Sequence, residues 1–446
     1  MHIDFLLDVF AANKNHDAII WEGKSYNYQW LISRISEHQS SQALKSLPPG
    51  MVVAIIGDFT PNTIALFLAL IEIECIVVPF TISSNMNRNT LFAIAGVEYA
   101  FELDRDDEVM TWSVSSKIQH EYYSLIKKRR RPGLVLFTSG TSGEPKAAVH
   151  DLSLMLKKFK TARSSLRTIN FLLFDHWGGL NTMFHVLSNG GAVVTAKHRT
   201  SEAVCRLIEE HQIELLPSSP TFLNLMLLSG AYRDFDLSSL KIISYGTEPM
   251  PESTLIRLKY TFPGVKLIQT YGLIELGVMR SKSESDSSLW VKVGGDGYQT
   301  RVVDDMLQIK AASAMLGYLN ADSPFTEDGW FITGDEVLQK GEYIKILGRK
   351  SEIINVGGEK VYPQEVENII QGIENIADVI VYGERNRIMG NIVCANIKIN
   401  DNADPKEMIR AVKKACREKL TAYKVPVKVV IVEDLLHNER FKKTRV

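Results

Sequence analysis

Short apolar runs rich in β-branched residues recur along the chain, at 51–56, 75–79, 134–137, 241–245 and 266–270. Their length and composition are those of buried strands. Stretches with helical spacing of apolar positions lie between them. Strands interleaved with helices predict an α/β fold on largely parallel sheets flanked by helices. The longest apolar run, 64–71, is closed by Glu72 and Glu74. It is too short to cross a bilayer and predicts a buried helix. The pattern changes near Gly348-Arg349-Lys350, where a strand-like run at 343–347 ends. Beyond it, 351–356 leads to the pair Gly357-Gly358, and Pro363 opens a helix through Gln371 with Glu365 and Glu367 in its first turns. Proline needs no amide partner at a helix start, and acidic side chains complement the positive end of the dipole. Two units are therefore expected: a large N-terminal domain of mixed or parallel sheets, 1–348, and a small C-terminal α/β domain, 349–446.

Composition narrows the class. A chain of 446 residues favours two or three domains, and 45% hydrophobic with 23% charged residues is ordinary for a globular protein with a large core. A formal net charge of -1 points to neither nucleic acid nor an acidic membrane surface. The one basic run, Lys127-Lys128-Arg129-Arg130-Arg131, has no interleaved aromatic residue to stack bases and reads as a solvated linker ended by Pro132-Gly133. The first residues carry Asp4 and Asp8 and lack a basic stretch, so no secretory leader is expected. Cys75, Cys205, Cys394 and Cys416 are too scattered for a metal-ligand spacing or a disulfide framework, which fits a reducing cytoplasm.

The sharpest chemical signal is at 134–146. An apolar strand runs into Thr138, Ser139, Gly140, Thr141, Ser142, Gly143, Glu144, Pro145 and Lys146. The glycines permit positive φ and close approach of the backbone to an anion. Hydroxyls and amides donate to phosphate oxygens, and Lys146 adds a point charge. A surface turn seldom places so many hydroxyls and a lysine directly after a buried strand. The spacing is not that of a Walker A loop. The segment resembles the signature loop [ST]-[ST]-G-[ST]-[ST]-G-x-P-K of the adenylate-forming (AMP-binding) superfamily, which comprises acyl-CoA synthetases, peptide-synthetase adenylation domains and luciferases. Every position is met.

Other stretches agree with that family in order and spacing. The run Ser244 to Met250, with Gly246, Thr247 and Glu248, resembles the lining of its adenine pocket. Thr270-Tyr271-Gly272-Leu273-Ile274-Glu275 resembles Y-G-x-[TS]-E. The resemblance implies that Tyr271 stacks on adenine and that Glu275 helps hold Mg2+. Ile274 departs from the pattern, because it has no hydroxyl for the α-phosphate; Thr270 is the residue offered to supply the missing oxygen. Thr333-Gly334-Asp335 resembles T-G-D, whose aspartate accepts from the ribose hydroxyls. Gly348-Arg349, Glu352-Ile353-Ile354, Gly357-Gly358 and the run Val361 to Glu367 resemble G-R-x-x-[ED]-x-I-x-x-x-G-x-x-[VI]-x-P-x-E-[VI]-E. This implies that Arg349 reaches the ribose, Lys350 is the hinge of a mobile small domain, and Gly357-Gly358 face the acceptor thiol. The end of the chain, Leu435 to Arg445, resembles l-P-x-T-x-x-G-K-x-x-R, with Leu436 for Pro and Phe441 for Gly. Lys442 falls on the catalytic lysine in register with Arg445, and Lys443 is a rival one residue away.

On the acid side, 171–180 resembles the F-H-x-x-G-G segment of acyl- and aryl-CoA ligases, with His176 followed by Gly178 and Gly179. Trp177 stands where amino-acid-activating members carry an aspartate, so an acid without an α-amine is expected; Asp175 is the one support for the amino-acid alternative. The resemblance implies activation of a carboxylic acid by ATP and Mg2+ to an acyl-AMP, with loss of pyrophosphate, followed by thioester formation on CoA or on the phosphopantetheine of a separate carrier protein. A nucleotide-binding protein without catalysis is the alternative of another class, supported by Ile274, Leu436 and Phe441.

Overall fold

The computed structural model describes residues 2–82, 87–104, 106–138, 144–400, 402–433, 436–437 and 443. Ser139, Gly140, Thr141, Ser142, Gly143 and Lys442 lie outside the described residues.

Each expected strand forms. Val52–Ile56, Ile76–Phe80 and Gly133–Thr138 are neighbours in one seven-stranded sheet, and Ile242–Tyr245 pairs in parallel with Lys266–Gln269 in another. The first sheet runs parallel through its centre and turns antiparallel where Gly133–Thr138 meets Lys146–Asp151. The second is parallel except for its edge strand Lys24–Asn27. The apolar run at 64–71 lies in the helix Pro61–Glu72, which starts on the Thr60 cap with proline in its first turn. Every residue from Thr63 to Ile71 is buried, as a helix apolar all round must be. It packs in one core cluster with Phe59, Phe174, Phe184 and the sheet residues Val53, Ile55 and Leu134. A six-stranded antiparallel sheet follows, containing Phe331–Lys340 and Tyr343–Arg349.

The basic run is not a linker. Lys127, Lys128 and Arg129 form the last turn of the helix Glu121–Arg129, where cations complement the negative end of the dipole. Arg129 and Arg131 reach the buried Asp151, and Arg130 reaches Glu74.

Residues after Lys350 build a separate sheet around the hairpin Ile376–Asn386 and Gly390–Ile399, covered by the helices Pro363–Gln371 and Pro405–Lys419. It has its own core, with Val361, Val366, Ile370, Val379 and Val412. It is seated on the preceding sheet through Glu336, whose carboxylate takes the Lys360 ammonium at 3.1 Å and the Tyr362 hydroxyl. Asn224 also donates to the Ala377 carbonyl at 3.2 Å. Burial alone would favour a protonated Glu336, but Tyr362 and Lys360 outweigh it and hold the carboxyl below the usual glutamate range. A depressed carboxylate strengthens the seated state above its free pKa and loses that contribution as pH falls through its seated pKa. Glu336→Gln at neutral pH, or acidification below the ordinary glutamate range, is therefore expected to loosen this contact. Small-angle scattering and limited proteolysis at pH 7 and pH 4 would read it; unchanged profiles in both would count against the contact's importance.

Candidate functional site

Three neighbouring parallel strands end together. Ser218, Tyr245 and Gln269 are level with one another at the carboxyl ends of Leu215–Ser218, Ile242–Tyr245 and Lys266–Gln269. Ligands of open α/β sheets lie outside such ends. The buried Ser218 Oγ, Gln269 Oε1 and Thr247 Oγ1 have no hydrogen-bond partner among the described residues. Buried polar atoms are normally satisfied, so three orphans in one place point to a bound polar group. Thr247 is also strained, with φ +73° in a residue that has a Cβ; such strain persists where surrounding structure imposes it, often at ligand sites. Gly246 is required here, because a Cβ would stand 2.4 Å from Thr270 Oγ1. That hydroxyl donates to the Tyr245 carbonyl at 3.0 Å.

Beside this edge is a charged cluster. Asp335 and Arg349 are paired residues on adjacent antiparallel strands. Arg349 Nε lies 2.7 Å from Asp335 Oδ1, and Arg349 Nη1 donates to the Thr333 carbonyl at 2.9 Å. Tyr271 donates its hydroxyl to Asp335 Oδ2 at 2.5 Å. Burial, reinforced by the Asp335 charge, holds the Tyr271 phenol well above its ordinary range, so it stays a donor. Asp335 is thereby oriented from two sides and is mostly buried. Its chain neighbour Glu336 serves the contact with the smaller sheet, as alternation along a strand allows.

Glu275 is held by a residue that the sequence reading missed. The Tyr318 hydroxyl donates to Glu275 Oε1 at 2.5 Å, and the Lys146 ammonium sits 5.6 Å from the centre of the Tyr318 ring. Tyr318 lies on the two-residue strand Gly317–Tyr318, which pairs with the strand that Lys146 begins. Asn320 pins the same strand start, accepting from the Ala147 amide and donating to the Pro145 carbonyl, each at 2.9 Å. Only the glycine-tyrosine pair after an apolar run marked this segment in sequence. Arg349 is coupled to Asp335, Tyr271 and Glu275 through charge, so these residues form one group. A hard dication such as Mg2+ commonly takes one or two carboxylates plus substrate phosphates. Glu275 offers one. No cluster of three or more metal-ligating side chains occurs among the described residues.

Ile274 is buried in the core at 9% exposure, which gives its missing hydroxyl a packing reason. Gly272 begins the two-residue strand Gly272–Leu273. The Glu248 carboxylate accepts from the Thr221 amide at 2.8 Å, at the start of the helix Pro220–Ser229. His176 caps the helix Trp177–Leu187, its Nδ1 accepting from Gly178 N at 3.0 Å. Gly179 is needed for close packing, since a Cβ would meet the Leu173 carbonyl oxygen at 2.4 Å. Asp175 is buried, and Thr81 reaches it at 3.5 Å. Lys350 opens a short 3-10 turn directly after Arg349. Gly357 and Gly358, with φ +60° and +93°, make the turn between Ile354–Val356 and Glu359–Val361, against Met389.

The chain matches the AMP-binding enzyme family over residues 7–324 and the AMP-binding enzyme C-terminal domain over residues 365–442. Among its relatives, the 2-succinylbenzoate–CoA ligase of Listeria innocua is 24% identical over 447 residues, covering 94% of this chain and 92% of the relative. The indoleacetate–CoA ligase of Aromatoleum aromaticum is 30% identical over 338 residues, covering 68% of this chain and 64% of the relative. Among solved structures, that of the anthranilate CoA ligase AuaEII in complex with anthranoyl-AMP superposes with a TM-score of 0.81 at 18% identity, over 99% of this chain and 95% of that one. ATP-bound MatB from Rhodopseudomonas palustris does so with a TM-score of 0.81 at 20% identity, over 99% and 97%. At such identities these superpositions speak to the fold.

Proposed function

The chain belongs to the AMP-binding enzyme family, and from that premise we propose that it is an acid–thiol ligase which joins a carboxylic acid to CoA through an acyl-AMP. The observation that carries this reading is the group Tyr271–Asp335–Arg349 beside Glu275, set at the carboxyl edge of parallel strands where three buried polar atoms have no partner among the described residues. Relatives named as CoA ligases of 2-succinylbenzoate and indoleacetate support CoA as acceptor and an acid without an α-amine. A carrier protein's phosphopantetheine is the finer alternative for the thiol. Four free, buried cysteines fit work in a reducing cytoplasm. No helix of the described residues is long and apolar enough to cross a membrane.

In the first step the carboxylate attacks the α-phosphorus and pyrophosphate leaves, so that AMP replaces oxide as the leaving group. Asp335 accepts from the ribose hydroxyls, and Arg349 holds Asp335 and reaches the same sugar. Tyr271 closes the adenine side, with Gly246 and Thr247 below it. Lys146 and the hydroxyl-rich loop before it face the phosphates. When Mg2+ is bound with ATP it neutralises phosphate charge, and Glu275 is the residue that would hold it. Lys442 bridges carboxylate and α-phosphate, supplying position and charge. In the second step the thiol attacks the acyl carbon and AMP leaves. The small domain turns about Lys350, withdrawing Lys442 and bringing in Gly357-Gly358.

ATP–pyrophosphate exchange over a panel of aryl, fatty, hydroxy and amino acids, followed by CoA addition, tests this reading. Exchange with one class is expected; none with any acid, despite measurable ATP binding, would favour the non-catalytic alternative. Tyr318→Phe adds a specific expectation. It frees Glu275 from its hydrogen bond, which for a charged acceptor is worth about 1.5 kcal/mol, or roughly tenfold. The Mg2+ concentration for half-maximal exchange should rise by about that factor, while metal-free ATP affinity stays put. Direct calorimetry of Mg2+–ATP against ATP alone checks both.

A further inference from the structure

Lys443 is the rival of Lys442 in the C-terminal motif. Its ammonium lies 3.2 Å from Glu367 Oε2 and 4.0 Å from Asp378 Oδ1, both carboxylates of the small domain. The side chains of Lys443, Glu367 and Asp378 are exposed by only 10%, 1% and 7%. Glu367 is itself fixed, because its other oxygen accepts from the Val381 amide at 2.9 Å. Lys443 also forms an antiparallel bridge with His437, whose Nδ1 stands 4.0 Å from Asp378 Oδ2. Burial holds that imidazole below its usual pKa despite Asp378, so it brings no dependable charge. Among the described residues, Lys443 is thus a cation that faces two buried carboxylates. On its outer side it lines a cavity of about 30 Å³ with Thr221, Asn224, Glu248 and Pro249 of the larger part, next to the segment read as the adenine lining.

Resting on the adenylation reading above, we infer that Lys443 is a positioning residue: its buried ion pairs lock the end of the chain to the small domain and set the register that presents Lys442 in the first half-reaction. A lysine committed to two buried carboxylates is not available to bridge substrate and phosphate. The lock travels with the small domain, so the thiol step, which does not use Lys442, should not depend on it.

The test uses the full chain as wild type, Lys443→Met, Lys443→Arg and the double variant Lys443→Met/Glu367→Gln. The double variant removes the nearer of the two stranded charges yet leaves an oxygen to accept from Val381. ATP–pyrophosphate exchange is measured with the acid that the wild type exchanges best. Thioester formation is measured from the corresponding chemically made acyl-AMP and CoA. Trypsin cleavage at Arg440, Lys442 and Arg445 is followed by mass spectrometry. Exchange should fall at least tenfold in Lys443→Met, stay low in the double variant and recover substantially in Lys443→Arg. Thioester formation should remain within threefold, and tail cleavage should accelerate. Exchange within threefold of wild type and unchanged cleavage in Lys443→Met would overturn the inference. So would recovery of exchange in the double variant, which would reduce the role to charge balance. A proportional fall of both half-reactions in both methionine variants would also overturn it, leaving only a folding role. If the wild type exchanges no acid, the adenylation reading fails on its own, and the cleavage comparison still decides whether Lys443 holds the tail.

Discussion

Asp335→Ala should abolish useful nucleotide binding and also weaken the fold by about 2–4 kcal/mol. Two donors converge on this carboxylate, the Tyr271 hydroxyl and Arg349 Nε. Removing the acceptor strands a buried phenol, which costs about 1–3 kcal/mol. Arg349 contributes less to that cost, because its side chain is 41% exposed and water can replace the partner. The binding loss is separate. Two hydrogen bonds from ribose hydroxyls to a charged, mostly buried acceptor are worth about 1.5–3 kcal/mol each, so ATP affinity should drop by roughly a hundredfold or more. Asp335→Asn separates the two effects. It keeps volume and one acceptor oxygen, so most stability should return while affinity stays low. Thermal melts with and without ATP, together with calorimetric ATP titration, read both quantities. An alanine variant that melts like wild type and still binds ATP would refute the assignment of Asp335 to the ribose.

Lys442→Ala should lower ATP–pyrophosphate exchange by about 10²–10³, the loss that follows removal of one preorganised electrostatic contact from a developing charge. Thioester formation from preformed acyl-AMP should stay within about threefold, because in the proposed mechanism the lysine leaves the site in that step. Stability should not change measurably. The prediction is asymmetric between half-reactions, which separates a catalytic contact from general damage. Equal loss in both would place Lys442 outside the role assigned to it; loss in neither would move the catalytic assignment away from it.

Much of the architecture was legible because it depends on local patterns. Apolar β-branched runs marked the strands, and a proline with acidic neighbours marked the start of Pro363–Gln371. The run at 64–71 announced its burial through the absence of any polar face. The basic run misled, because a helix that ends in lysines and arginines looks like a linker when its partners, Asp151 and Glu74, are distant in sequence. At the candidate site, Asp335, Arg349, Tyr271 and Glu275 were singled out through motifs. Tyr318 was not, since its importance comes from a two-residue strand laid beside the one that Lys146 begins. Thr247 belonged to a weak motif until its left-handed backbone and orphaned hydroxyl set it apart.

The sequence by itself determined which residue types were available and in what order: the hydroxyl-rich loop, the two acidic motifs, the final pair of lysines. It did so because strand and helix periodicity, turn chemistry and motif spacing act over a few residues at a time. Tertiary structure alone decided which of these residues share an environment. Tyr271 meets Asp335 across 64 residues of chain, and Lys443 meets Glu367 across 76. Whether a charged side chain serves chemistry or holds the fold depends on such long-range partners and on exclusion of water, and neither is encoded within any local window.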